Sequence, residues 1–89
     1  MSKIAEGEFG RKLEEAKRLV KVGGKYRHYK SAEKVYTVVE LALLEATCEV
    51  AVVYRAEYGE KLVWVRAVED FVGEVEFEGE KMKRFVEIL

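Results

Sequence analysis

The spacing of apolar residues changes at Gly23-Gly24. Ahead of these glycines, Phe9, Leu13, Ala16 and Val20 recur at steps of four, three and four, one apolar stripe along a charged segment. This predicts a helix over about residues 5–22 whose stripe packs on the rest of the chain. Glu14 and Arg18 add an i,i+4 pair with the acid on the N-terminal side. The glycines end the helix because they accept a left-handed cap without Cβ strain. Gly10 weakens the first turn and leaves the start less defined.

Beyond the glycines the period falls to two. Lys25 to Lys30 is an aromatic run with Tyr26, His28 and Lys30 on one side, and Val50 to Arg55 is rich in strand formers. Tyr58-Gly59-Glu60 turns the chain into Leu62 to Arg66, where Val63 and Val65 are expected to face the core and Trp64 and Arg66 the opposite side. Glu74 to Glu78 alternates strictly, as a half-exposed strand does. Glu78-Gly79 fits a two-residue hairpin turn, with Met82 to Ile88 returning along it. Residues 35–44 carry two patterns at once. Val35, Thr37, Val39, Leu41 and Leu43 line one strand face, while Glu40 to Ala46 is good helix material. Short strands separated by turns favour a small sandwich or barrel.

Gly24-Lys25-Tyr26-Arg27-His28-Tyr29-Lys30, Val52-Val53-Tyr54, Tyr58-Gly59, Trp64-Val65-Arg66, Phe71 and Arg84-Phe85 stand in the order and spacing of a known set. Over about residues 23–88 the chain resembles the domain of unknown function 1653 family. The resemblance implies a bacterial protein with a small SH3-like β-barrel, makes 35–44 a strand, and implies no reaction. The chain departs from the family at three places. Leu44-Glu45-Ala46-Thr47 replaces the usual His-Ser-Glu-Thr and keeps only the threonine, Ser31 replaces a glycine, and Ala67 a proline. If that loop carries the family's ligand or chemistry, this chain has altered it. The helix lies outside the resemblance.

Length and composition narrow the setting. With 89 residues, 49% of them hydrophobic, residues 1–89 are expected to form one domain, the helix at about 5–22 and the β-barrel at about 24–89. Cys48 is the sole cysteine and forms no intramolecular disulfide. The N-terminus lacks an apolar targeting core, and no run approaches the ~20 apolar residues of a membrane span. The expected location is cytoplasmic, without membrane association. Charged residues make up 37% of the chain, with 16 Glu, one Asp and neither Asn nor Gln. That bias is typical of hot environments, although the absence of proline runs against it.

Residues 1–34 carry ten Lys/Arg and five Asp/Glu, a net of +5; residues 35–89 carry six and twelve, a net of −6. Attraction between the two parts explains this split more simply than a nucleic-acid patch, which needs a strongly basic domain. Nucleic acid stays open as the less favoured partner.

Candidate chemistry is sparse. One His and one Cys do not make a zinc set, so no metal or other cofactor is expected. A His28–Cys48 dyad is arithmetically possible, but no basic residue neighbours Cys48 in sequence. The glutamates at 74, 76 and 78 fit a solvated strand edge, and Gly23-Gly24 ends a helix where a phosphate loop would begin one. The remaining constellation is Tyr26, His28, Tyr54, Tyr58, Trp64 and Arg66, flat apolar groups with polar tips. Trp64, Tyr26 and His28 are expected to border one concave surface, against the simpler reading that these rings fill the core. The leading function is a non-catalytic binding module for a peptide, nucleic acid or small molecule. An enzyme using His28 as its acid/base group is one alternative. Another is an interaction subunit that docks a protein partner, or associates with itself, through its helix.

Overall fold

The computed structural model describes residues 6–89, so the expected start of the helix at residue 5 lies outside it. Helix α1 (Glu6–Leu19) lies against the sheet. Of its stripe, Ala16 is buried, Leu13 packs on the core and Phe9 is half-buried; Val20, just past the last turn, is buried as well. The helix stops short of residue 22 because other acceptors take the amides that would extend it. Lys21 N–H donates to Tyr26 Oη at 2.9 Å and Gly23 N–H to the Val38 carbonyl at 2.8 Å. Gly23 makes this turn at φ 86°, a left-handed conformation that costs glycine little.

The described strands are β1 (Lys25–His28), β2 (Ser31–Leu43), β3 (Val50–Ala56), β4 (Val63–Ala67), β5 (Glu74–Phe77), β6 (Glu80–Lys83) and β7 (Phe85–Ile88). The fold is mainly β. Five strands form one antiparallel sheet in the order β4-β3-β2-β1-β7, and β5-β6 is a separate hairpin. No pairing between β4 and β7 closes the sheet into the expected barrel. The doubly patterned segment is strand, since β2 pairs with β1 and β3 along its length and tertiary pairing outweighs a weak local preference.

The face expected for β2 is only partly correct. Tyr36, Val38 and Leu41 are its buried residues, whereas Val39 and Leu43 are exposed. A β-bulge between Val38 and Glu40 shifts the register and swaps the alternation midway. The faces of β4 are reversed from expectation. Val63 and Val65 are each 57% exposed, while Trp64 and Arg66 pair with Tyr54 and Val52 on the inner face. Among the described residues no layer covers the outer face of β4, so its valines stay exposed.

A one-turn helix, α2 (Val68–Phe71), follows β4 directly. Its Phe71 is almost fully buried and stacks on Phe85 at 4.3 Å with the rings 8° apart. A single turn is too short to leave a periodic signal in sequence. The Glu78-Gly79 turn joins β5 to β6 with positive φ at both residues (54° and 84°), the geometry of a tight hairpin. The return strand is split where one run was expected. At Arg84 the chain leaves the hairpin: its N–H donates to the Gly73 carbonyl and its carbonyl accepts from Tyr29 N–H, each at 3.0 Å. β7 then pairs with β1.

Candidate functional site

Alternation along each strand sends one set of side chains to the inner face of the five-stranded sheet. There His28 of β1, Tyr36 of β2, Tyr54 of β3, Trp64 and Arg66 of β4 and Phe85 of β7 line a cleft of about 190 Å³. Every strand of the sheet contributes, including both edges. The sheet therefore curls until its edge strands face each other, and the cleft lies at the seam they leave open.

The cleft floor is a packed aromatic cluster. Tyr54 meets Phe85, Phe71 and Tyr36 edge-on at 5.3, 5.3 and 5.4 Å, and the His28 ring lies 5.2 Å from Phe85 in the same geometry. Edge-to-face pairs of this kind each add about 0.5–1.5 kcal/mol beyond burial, which makes the floor rigid. Tyr36 and Tyr58 share a short hydroxyl hydrogen bond. Burial, followed by that bond, pushes the Tyr36 phenol well above its usual range, so it stays neutral. Trp64 differs from its neighbours. It is 50% exposed and makes none of the ring-to-ring contacts found among the described residues.

The polar groups around the cleft share one sign of charge. Burial lowers the His28 pKa, and Arg84, Lys30, Arg66 and Lys34 lower it further by repulsion. Lys30 N–H donates to His28 Nδ1 at 3.2 Å, so in the neutral ring the proton sits on Nε2. Arg66 Nε donates to Tyr54 Oη at 3.4 Å. Among the described residues the ion pairs are Lys17–Glu14 and Arg55–Glu57, so Arg66 has no carboxylate partner. None of the six lining residues is acidic.

The sequence-predicted residues divide accordingly. His28, Tyr54, Trp64 and Arg66 line the cleft. Tyr58 stands behind it, bonded to Tyr36 and with Lys34 Nζ 5.5 Å above its ring. Tyr26 is a core residue and not a border of the concave surface. It is buried, holds the Lys21 amide and meets Phe71 edge-on at 5.3 Å, because α1 and α2 cover its end of β1. Tyr36 and Phe85 were not among the expected lining residues. Tyr36 alternates with the wrong partners until the bulge is known, and Phe85 reaches the cleft only through the split at Arg84. His28 precedes β2 and Cys48 follows it, at opposite ends of a 13-residue strand, and no hydrogen bond joins them among the described residues. They form no dyad.

A larger cleft, about 320 Å³, lies between α1 and the sheet, with Lys12, Ala16, Leu19, Val50 and Val68 among its lining residues. Three glutamates, Glu15, Glu49 and Glu69, border it, and no aromatic ring does. Among the described residues no group of His, Cys, Asp and Glu could hold a metal ion, and no helix is long and apolar enough to cross a membrane.

The chain is similar to a crystal structure of a DUF1653 protein from Bordetella bronchiseptica, at 29% identity and a TM-score of 0.65, over 74% of this chain and 85% of that one. No curated protein matches it. The model of the protein family of unknown function DUF1653 matches residues 24–87, which hold the seven strands up to the last residue of β7 and the whole aromatic cleft but not α1, and the chain belongs to that family.

Proposed function

We propose that the chain, acting as one domain over residues 1–89, is a non-catalytic binding module whose ligand enters the aromatic cleft. The observation that carries this reading is Trp64. A half-exposed tryptophan on an inner sheet face leaves a large apolar surface in water, at roughly 25 cal/mol per Å². A ligand laid against it would remove that cost. The rigid floor and the few polar tips around it match the general make-up of small-molecule sites. The charge around His28 weighs against catalysis: four cations surround the ring, and no carboxylate orients it as a general base. The free Cys48 suits a reducing, cytoplasmic setting.

The test is an amide-shift screen of the full chain against a small fragment library. Perturbed amides should gather at His28, Trp64, Arg66 and Phe85, and Trp64→Ala should abolish them while the protein stays folded. Hits scattered over the surface, or gathered at α1, would defeat this reading.

A further inference from the structure

The shape and charge of the cleft narrow its occupant. At about 190 Å³ the cleft is close to an engineered cavity of roughly 150 Å³ that takes up benzene, and below the ~300 Å³ at which drug-sized sites begin. It has room for one ring or one short aliphatic group. Trp64 lines the cleft together with the Tyr54 and Phe85 rings, and its exposed surface offers a flat group a place to lie. Arg66 reaches the same space without a carboxylate partner, and its guanidinium keeps donors beyond the Nε that touches Tyr54. A planar guanidinium offers paired N–H groups that match a carboxylate or phosphate. Lys30, Lys34 and Arg84 add positive charge near that space, the neutral His28 ring brings none, and no lining residue is acidic.

We infer that the cleft selects a small molecule with one planar ring and one anionic group, a carboxylate or a phosphate, the ring against Trp64 and the oxygens on Arg66. This rests on the reading of the cleft as a binding site. A small molecule is favoured over a nucleic-acid strand for two reasons. A strand needs a row of phosphate contacts and successive stacking faces, whereas this cleft has one exposed ring. The chain as a whole is also slightly acidic, with a net charge of −1.

The experiment titrates the full chain with benzoate, phenyl phosphate, benzyl alcohol, benzylamine and inorganic phosphate, following amide shifts and Trp64 emission. Benzoate or phenyl phosphate should bind at least about tenfold tighter than benzyl alcohol, as expected for a charge-assisted hydrogen bond, with shifts at Trp64 and Arg66. Whichever anion binds tighter identifies the class. Arg66→Leu should remove the preference, and Arg66→Lys should restore part of it. If Arg66→Leu unfolds the chain, the ranking of the five probes on the native protein still decides. Equal affinity for benzyl alcohol and benzoate in the cleft overturns the anion selection and leaves the binding reading standing. Inorganic phosphate binding as tightly as phenyl phosphate overturns the role of the ring. A thymidine oligonucleotide binding far tighter than either aromatic anion overturns the small-molecule assignment. No cleft shift with any probe at millimolar concentration overturns both proposals.

Discussion

The two clefts differ in every respect that recognition depends on. The one beside α1 is larger and bordered by three glutamates with a single lysine, and its walls are aliphatic. The one at the sheet seam is smaller, bordered by cations without an acid, and floored by interlocked rings. The first depends on a helix outside the family match, and the second is built entirely within it. Volume alone would favour the cleft beside α1, whereas the proposed site is the smaller one. Unbalanced charge selects among ligands by sign, and a preformed wall spares the cost of ordering side chains on binding.

Substitutions can separate the two regions. The largest expected effect is from Phe71→Ala. Removing a fully buried ring stacked on Phe85 should cost about 3–5 kcal/mol, read from the urea midpoint, and should loosen the floor of the aromatic cleft. A loss below about 1 kcal/mol would mean that the cluster is not the core. Leu13→Ala should cost less, roughly 1–3 kcal/mol, because that side chain is only partly covered. It should leave benzoate shifts at Trp64 unchanged, and altered shifts would show that the clefts are coupled.

A smaller effect follows from His28. Its pKa is below the ordinary value, so the stability it contributes by staying neutral is full above about pH 6.5 and is lost as pH falls through the depressed value. Every charged group acting on it is positive: Lys30 from the β1–β2 turn, Lys34 from β2, Arg66 from β4 and Arg84 ahead of β7. A bound carboxylate opposes that repulsion. Benzoate should therefore raise the His28 pKa and bind a few-fold tighter as pH falls through it, while its own group, titrating near about 4, stays ionised. Affinity constant between pH 5 and 8 would place the anion away from His28. The smallest effect is expected at the outer face: Val65→Thr should shift stability within about ±0.5 kcal/mol and leave cleft binding unaltered.

Much of this architecture is legible in the residues, and the gaps have physical causes. The α1 stripe and the Glu78-Gly79 turn are local signals, set by spacing and by backbone freedom, and both are where the pattern places them. Trp64 does line a concave surface, but through geometry opposite to that inferred from Val63 and Val65. Alternation fixes which residues share a face and not which face is covered, and at an edge strand the apolar pair can be the outer one. Tyr36 and Tyr26 exchange roles for a comparable reason. The bulge at Val39-Glu40 and the cover supplied by α1 and α2 are tertiary facts that no period-two pattern contains.

The corner at Arg84 has a consequence in time as well as in space. A two-stranded hairpin alone is marginal in water. Arg84 N–H to the Gly73 carbonyl closes the base of β5–β6, and its links to the remainder include the Tyr29 N–H to Arg84 carbonyl bond, the Arg84 Nε contact to the Asp70 carbonyl and the edge of Tyr29 against Phe77. Such a unit opens by itself, at a free energy below that of global unfolding. Its amides should exchange with deuterium well before those of β2 and β3. Phe85 is the next residue along the chain, so an opening of the hairpin should reach the aromatic cluster there first, read as faster exchange at the Phe85 amide than at Tyr54.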